Sequence, residues 1–492
     1  MLRPFMFIGI AALGASYTAL NNIWLSVTVL LLTAVLTLLL MVKKSNQLNK
    51  GVITALIFVM LAVRMVTLGV TIENKTRLLE SRQTDIIAEI TEVDYSTKYS
   101  SSLSLKIKSC GIPKANGLKV KATFSGKTTA LPGDIINAGI IFTPHSGRHN
   151  AYNFGNGFYY SCAIDEIYSV RDGSGSFWRM IYNVRQAIIN AIDQSGINEE
   201  GAVIKALVIG DDSYISTDFY QMVKTTGVAH MLVVSGMHLS ILCGVLLNVV
   251  RGRTNPWVAA VFGGVSAVII MAVCLFHISI LRASIAYFAM LLGRRLHKSI
   301  DPLSSLGFGA AVAVFTMPYI FYNVAFLLSL ASTFAVLYPS KLIIDAVSFK
   351  SVPHFGKPLK LAFDILVIAL CSTACTMPIT VYCFGYVALI SPISNLAVTF
   401  SMNAALILGV LAVIIFFLPL GKFISIPVFL LCRLFIKAFI LTVQAIGKNN
   451  FGVLFIPKDK IVYCILAVAA FILLVRMLSK YLISKREEKY RA

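Results

Sequence analysis

Long apolar stretches dominate the pattern of hydrophobic and polar residues along the chain. Three open the chain near residues 5–20, 23–42 and 51–72, and about nine more follow between 226 and 480. A helix that crosses about 30 Å of hydrocarbon needs roughly 20 mainly apolar residues. The pattern therefore predicts a polytopic α-helical membrane protein with about twelve spans.

The later spans form one predicted membrane region over residues 226–484, followed by a basic tail at 485–492. Several contain internal Gly or Pro, so some are expected to be broken or re-entrant. They are predicted near 226–250, 257–275, 281–297, 303–317, 324–340, 361–383, 393–418, 422–446 and 458–480.

A different pattern separates the N-terminal three-span region (1–72) from the later spans. Within residues 73–172, apolar and polar residues alternate in several short runs, as half-buried strands require. Five short strands in roughly 90 residues favour an inserted small β-barrel of the OB-like type. The predicted strands are 84–95, 102–108, 118–124, 135–142 and 161–170. Residues 173–225 then form an amphipathic, interfacial linker that contains a Gly-Asp-Asp loop.

Composition excludes a soluble enzyme with a single membrane anchor. Of 492 residues, 57% are hydrophobic and 13% are charged, whereas soluble proteins carry roughly 25% charged residues. The net charge of +21 does not by itself indicate nucleic-acid binding, because cytoplasmic loops of membrane proteins are rich in Lys and Arg.

The position of the basic residues predicts the topology. Residues 1–72 contain no Asp or Glu, whereas 73–172 are nearly balanced in charge. Placing the basic segments inside the cell puts both termini in the cytoplasm and the barrel outside, across the cytoplasmic membrane. Those segments are 43–50, 251–253, 294–298, 341–360 and 485–491.

Polar groups at membrane depth are concentrated in one segment, residues 207–244, which contains His230, Ser235 and His238. Gly236, Ser240 and Gly244 lie four apart, so they predict a small-residue stripe that lets another helix approach. A Ser–His pair would need a third orienting group for catalysis, and two His are too few ligands for a metal site. Packing of a helix interface and lining of a passage stay open, and no metal or cofactor is predicted.

Cationic and aromatic residues supply further candidates for contact with an anionic substrate. Arg64, Arg282, Arg433 and Lys437 lie in or near predicted spans, and the last two share a helix face. In the barrel, Lys106, Lys108, Lys119 and Lys121 lie at spacing two on adjacent strands. Nearby rings are more often core than ligand contacts; they are Tyr95, Tyr99, Phe124, Tyr152, Phe154, Phe158, Tyr159 and Tyr160.

Two cysteines, Cys110 and Cys162, fall in the barrel. Because the barrel is predicted outside the cell, a disulfide between them is chemically permitted. We expect this bond to form, with two free thiols as the alternative.

An ordered set of motifs resembles the ComEC competence-protein family, whose members form an inner-membrane channel for DNA uptake. The set is Gly210-Asp211, Thr226-Gly227-Val228-Ala229-His230-Met231-Leu232, Ser235-Gly236-Met237-His238, Leu281-Arg282-Ala283-Ser284, Ala325-Phe326-Leu327-Leu328-Ser329, Thr376-Met377-Pro378 and Ser391-Pro392-Ile393-Ser394-Asn395-Leu396. Leu327 departs from the family, where Gln is usual. The resemblance covers nearly the whole chain, including the OB-like domain.

The resemblance implies a channel that carries single-stranded DNA into the cytoplasm during natural transformation. Asp211, His230, Ser235, His238, Arg282, Asn395, Arg433 and Lys437 are the expected path residues, and the four barrel lysines the expected DNA contacts. The implied partners are single-stranded DNA, membrane lipid, an outer DNA receptor protein, a cytoplasmic helicase-like ATPase and single-strand-binding or recombination proteins.

Nuclease activity is not part of this expectation. Many family members carry a metallo-β-lactamase-like domain, but no His-x-His-x-Asp-His string occurs before Ala492. We therefore expect a transport channel rather than an enzyme. Two rivals stay open, a secondary transporter of a small polar solute and a membrane-embedded hydrolase that uses Ser235 and His238.

Overall fold

The computed structural model describes residues 4–19, 23–42, 48–79, 82–96, 99–112, 115–143, 147–197, 199–234, 236–250, 256–295, 301–347, 356–448 and 452–491. The backbone divides into two compact units. The first contains Met1–Gln186 and Gly307–Asn323, and the second contains Ala187–Leu306 and Val324–Ala492. The chain is a polytopic membrane protein that carries a small closed barrel.

Three apolar helices open the first unit. They are α1 (Pro4–Ala19), α2 (Ile23–Val42) and α3 (Leu48–Leu79). Their starts and ends agree with the three predicted spans, except that α3 continues as far as the barrel. All three helices are mainly apolar and none has Pro beyond its first residue, which suits helix formation here.

The five predicted strands are present and close into a barrel. The strands are β1 (Gln83–Ser96), β2 (Ser101–Cys110), β3 (Lys119–Phe124), β4 (Ile135–Thr143) and β5 (Tyr160–Arg171), with helix α4 (Gly147–Gly155) before β5. The strand order is β1-β2-β3-β5-β4, and β1 pairs with β4 to close the sheet. β3 and β5 are parallel, whereas the other pairs are antiparallel. This arrangement confirms the predicted OB-like domain.

The barrel core follows from the period-two pattern of the strands. Alternate residues of β1 and β2 point inward and are almost fully buried, among them Ile86, Ile90, Leu103 and Leu105. Helix α4 leads into contacts with the later part of the same unit, where the Nδ2 of Asn323 donates to the Oδ1 of Asn156 at 2.8 Å.

A buried ion pair fixes the start of helix α5 (Phe177–Asp193) beside the barrel. The guanidinium of Arg179 pairs with the Asp134 carboxylate, which also accepts from the backbone of Leu131 at 2.8 Å and Gly173 at 3.1 Å. The Asp134 carboxylate therefore accepts hydrogen bonds from one guanidinium and two backbone N–H groups, and these bonds join the turn between β3 and β4 to the start of α5.

The second unit is almost entirely helical. Its first elements are α6 (Glu199–Ile209), α7 (Thr217–Thr225), a 3₁₀ turn (Ala229–Met231), α8 (Gly236–Val250), α9 (Pro256–Val273) and α10 (Ile278–Arg295). Helix α11 (Pro302–Thr316) belongs to both units, and a 3₁₀ turn (Ile320–Tyr322) follows it in the first unit.

The remaining elements complete the second unit. They are α12 (Val324–Ala335), a π-helical segment (Val336–Ser340), α13 (Lys341–Ala346), α14 (Gly356–Phe384), β6 (Tyr386–Ala388), α15 (Ser391–Phe416), α16 (Gly421–Gly447), β7 (Val453–Phe455), a 3₁₀ turn (Lys458–Lys460) and α17 (Ile461–Arg491). β6 and β7 pair as a short antiparallel ribbon.

Six helical stretches among the described residues are long and apolar enough to cross a membrane. They are Thr54–Thr76, Val324–Ala346, Pro358–Phe384, Ser391–Phe416, Gly421–Gly447 and Lys458–Ser484. Shorter apolar helices cover Ile8–Ala19, Ile23–Val35, Val261–Val273, Ile278–Phe288 and Pro302–Thr316.

The structure corrects one predicted span. Residues 226–250 do not form a continuous helix, because α7 ends before Gly227 and α8 begins only at Gly236. Gly227 has φ 76°, a left-handed conformation that ends a helix and favours glycine.

Candidate functional site

Motif residues that are far apart in sequence meet around the helix break between Gly227 and Gly236. A Cβ at Gly227 would lie 2.5 Å from the Cβ of Ser391, so only glycine allows this approach. The Ser391 hydroxyl donates to the Gly227 carbonyl at 3.2 Å, and the Nδ2 of Asn395 donates to the Ser391 hydroxyl at 3.1 Å. The start of α15 is therefore fixed to the break.

Only one of the two polar atoms of the Asn395 side chain, the Nδ2, has a hydrogen-bond partner among the described residues. Its side chain is buried, and its Oδ1 has no hydrogen-bond partner among the described residues. A buried acceptor without a donor is costly unless a water or a substrate group fills the role. Asn395 is thus placed at the break, as the family motif suggests.

His230 and His238 also lie at the break, but in different elements. His230 is in the 3₁₀ turn and bonds with the Gly227 backbone; His238 is in the first turn of α8 and bonds with the Met231 backbone. His238 is buried, whereas His230 is exposed.

Arg282 connects three helices of the second unit. Its Nε and Nη2 donate to the Ser329 hydroxyl of α12 at 3.1 and 2.8 Å. A Cβ at Gly236, the first residue of α8, would lie 3.5 Å from that Nη2 and 3.0 Å from the Ala283 Cβ. Three motifs of the sequence therefore converge on one buried guanidinium.

Gly210 and Asp211 shape the loop before α7. Gly210 has φ 72°, and a Cβ there would lie 2.9 Å from the Val234 Cγ2. The Asp211 carboxylate accepts from the backbone N–H and the hydroxyl of Ser213, at 3.2 and 2.6 Å. Asp211 thus acts locally as a turn-forming residue, while Gly210 brings the loop against the break.

Arg433 and Lys437 share a helix face, as their spacing predicts. That face contacts the carboxylate of Glu200, a residue that the sequence did not indicate as functional. Glu200, at the start of α6, is 6% exposed. Its Oε1 lies 3.0 Å from Arg433 Nε and 3.9 Å from Lys437 Nζ. Acidic residues in the first turn of an otherwise apolar segment were the available signal.

Opposing effects act on the Glu200 carboxyl. Burial raises its pKa, but a backbone hydrogen bond and the charges of Arg433 and Lys437 outweigh burial and leave the pKa below its usual value. Glu200 is therefore ionised at neutral pH and neutralises part of the positive charge of α16.

The structure does not test the rival role of Ser235 and His238 in a hydrolase, because Ser235 lies outside the described residues. Within the part of the chain that the structure describes, no group of three or more His, Cys, Asp or Glu is arranged to hold a metal ion. The predicted small-residue stripe of α8 is only partly used, because Gly236 contacts α10 whereas nothing lies within 4 Å of a Cβ at Gly244.

The four barrel lysines separate into two pairs. Lys108 lies 3.3 Å from Glu89, and Lys121 lies 2.5 Å from Asp94. Lys106 and Lys119 are exposed and directly opposite each other on β2 and β3. Like charges in that position repel, so this pair is the stronger candidate for binding an anion.

Most predicted barrel rings that the structure describes pack against protein. Phe154, Tyr159 and Tyr319 form an edge-to-face cluster with centroids 5.1–5.8 Å apart, and Tyr160 is buried. Tyr99 and Tyr152 are exposed.

The predicted disulfide is wrong, because Cys110 and Cys162 are both free thiols. Cys162 on β5 pairs with Ala122 on β3, which pairs with Leu103 on β2, far along that strand from Cys110. The thiols are thus two strands apart and at different heights, beyond the reach of a disulfide. Burial raises the pKa of Cys162 to about 12.

Comparison with known proteins agrees with the motif positions. A family model described as Competence protein matches residues 207–481, the part of the chain that contains the helix break and its partners. ComE operon protein 3 of Bacillus subtilis (strain 168) is 21% identical over 278 residues, which cover 56% of this chain and 34% of that protein. The chain thus matches about a third of that relative's length. No solved structure matches the chain.

Proposed function

Since the chain belongs to the competence protein family, we propose that it carries one strand of DNA across the cytoplasmic membrane during natural transformation. The observation that carries this proposal is the convergence of family motifs on a helix break in the second unit. Polar and charged groups among membrane spans are costly, so they usually line a substrate path.

The residues at the break divide this task. His230 supplies an accessible polar ring, Arg282 a buried cation, and Asn395 an unmatched acceptor. We place these residues on the path of the strand. Glu200 holds Arg433 and Lys437, so these two act on the strand only if that carboxylate releases them.

The barrel is proposed as the outer receiving domain. The distribution of basic residues supports a position of the barrel outside the cell, with the termini inside. Exposed Lys106, Lys119, Tyr99 and Tyr152 supply charge and rings, the two contacts that single-strand binders combine.

Movement of DNA needs an energy source. Each unscreened phosphate entering a negative-inside cell costs about 2.3 kcal/mol per 100 mV. We propose that an outer DNA receptor delivers the strand. A cytoplasmic helicase-like ATPase and single-strand-binding or recombination proteins would then receive it.

Secondary transport of a small polar solute is the second candidate. The interruption between α7 and α8 favours it, because interrupted helices form solute and ion sites in transporters. Binding of DNA separates the two, since a solute transporter has no reason to bind single strands with steep salt dependence.

The test is binding of a labelled single-stranded oligonucleotide to the purified full chain at several salt concentrations. We expect Lys106→Gln with Lys119→Gln to weaken binding and to lower the slope of log K against log salt by about one to two. The matched control is Lys108→Gln with Lys121→Gln. Because Glu89 and Asp94 already neutralise these lysines, it should change the slope by less than half as much.

Salt-independent binding of the unmodified protein contradicts the DNA proposal and favours the solute. Equal effects of the two lysine pairs contradict the barrel assignment alone.

A further inference from the structure

Arg282 is a buried cation that has no counter-ion among the described residues. Its side chain is 7% exposed, and its guanidinium donates to the neutral hydroxyl of Ser329. Within the described part of the chain, no carboxylate pairs with it. A buried charge without an opposite charge is costly, so this arrangement calls for an anion.

A second positive feature lies beside the guanidinium. Gly236 begins the 15-residue helix α8, and a Cβ on this residue would lie 3.5 Å from the Arg282 Nη2, so the guanidinium is next to the start of the helix. The first N–H groups of a helix lack intrahelical partners and carry partial positive charge. A cation next to this end is unfavourable in isolation, whereas an anion between them would satisfy both.

Ser329 occupies two hydrogen-bond donors of the Arg282 guanidinium. Its hydroxyl accepts from both the Nε and the Nη2 of Arg282 and lies 3.3 Å from the Ser279 hydroxyl. The guanidinium edge that faces Ser329 is the pair of donors with which arginine binds an oxyanion. Ser329 therefore holds in place the donors that an oxyanion would use.

We propose that Arg282, the N-terminus of α8 and the hydroxyl of Ser279 form a binding site for a phosphate-type oxyanion, with the Ser329 hydroxyl occupying the guanidinium donors until the phosphodiester backbone of the transported strand binds as the ligand. The oxyanion site stands on the geometry alone; its assignment to the strand rests on the proposed function. Because the ligand replaces Ser329 at the guanidinium, the helices must separate there to admit it. Contacts of this kind are independent of base sequence.

The experiment measures binding of three probes to the purified full chain in phosphatidylcholine nanodiscs. The probes are a single-stranded oligonucleotide, its abasic counterpart and its uncharged methylphosphonate counterpart. We expect Arg282→Gln to weaken binding of the first two about tenfold and to reduce the salt slope by about one. The methylphosphonate should bind weakly and show no dependence on Arg282.

Matched variants separate binding from helix packing. Arg476→Gln on α17 removes an exposed arginine and should leave binding within about twofold of the unmodified protein. Ser329→Ala keeps the guanidinium but removes its neutral partner, so binding should be unchanged or tighter. Weakening by Ser329→Ala as large as that by Arg282→Gln shows that their contact only joins α10 to α12, and overturns the site. The Ser329 variant gives this answer even where Arg282→Gln fails to fold.

A lipid headgroup and free phosphate are the two other oxyanions that this site could bind, and each is tested directly. If phosphatidylglycerol in the nanodisc, or inorganic phosphate at millimolar concentration, abolishes the Arg282-dependent binding, the ligand is a lipid headgroup or free phosphate and the strand assignment is overturned. Binding that does not depend on Arg282, in a protein whose deletion still blocks DNA uptake, overturns the site alone. Arg282-dependent binding in a protein whose deletion leaves uptake intact overturns the proposed function and leaves the oxyanion site standing.

Discussion

At the scale of single residues, the second unit places its charges selectively. Glu200 is buried under Arg433 and Lys437, whereas Arg282 has a hydroxyl partner and no carboxylate among the described residues. The first arrangement neutralises charge within the fold. The second leaves the guanidinium of Arg282 with a neutral partner, and the proposed oxyanion site rests on that difference.

Replacement of Glu200 by Gln tests the structural role of the first arrangement. We expect the free energy of unfolding to fall by about 1–2 kcal/mol, because Arg433 and Lys437 lose the carboxylate with which they pair. Thermal unfolding in detergent measures the change. Glu199→Gln is the matched control, since that neighbouring carboxylate is exposed.

The pH dependence gives a second reading of the same variant. The Glu200 pKa is lowered in the folded protein, so its stabilisation is fully present above the unfolded value of about 4.3 and is lost as pH falls through the folded value. The wild-type protein and the Glu200→Gln variant should therefore differ most near neutral pH and converge at pH values below the folded pKa. A constant difference at every pH would show that the carboxylate charge is not responsible.

Spacing along the sequence predicted some residue contacts and missed others. The common face of Arg433 and Lys437 follows from helical periodicity, but Glu200 lies 233 positions from Arg433, and periodicity carries no information at that distance. The disulfide failed for the same reason. Cysteine spacing does not reveal that β3 lies between β2 and β5.

At the scale of elements, the helix break is the feature that distinguishes this chain from a simple bundle. Gly227 and Gly236 bound the break, and each permits a contact that a side chain would obstruct. Apolar periodicity located the long apolar helices and all five barrel strands, but not the short helices α4, α6, α7 and α13. It missed the break because residues 228–234 are as apolar as a continuous span.

Replacement of Gly227 by Ala tests the break. The new Cβ would lie 2.5 Å from the Ser391 Cβ, on a backbone with φ 76°. We expect loss of stability by several kcal/mol or displacement of α15, measured as a lower yield of folded protein and a transformation frequency that falls by about tenfold or more.

Gly244→Ala is the matched control for this variant. Gly244 is helical and nothing lies within 4 Å of an added Cβ, so alanine should be neutral or slightly stabilising. If both variants behave alike, close packing at Gly227 does not fix the break.

At the scale of the whole molecule, two kinds of information agree. Period-two and apolar patterns predicted a barrel inserted between membrane spans, and the closed β1-β2-β3-β5-β4 sheet confirms it. Short motifs predicted the family, and the match over residues 207–481 falls on the helices that bring those motifs together. The strand order and the convergence at the break depend on long-range packing, which local patterns do not encode.

The central claim is that DNA enters the cell through this protein. The most direct measurement follows labelled DNA in a naturally transformable host from which the gene has been deleted, with the wild-type gene restored as the control. We predict that DNA still binds the surface of the deletion strain, that none reaches the cytoplasm, and that transformants fall to the background level. Cytoplasmic DNA at the wild-type level in the deletion strain would contradict the account.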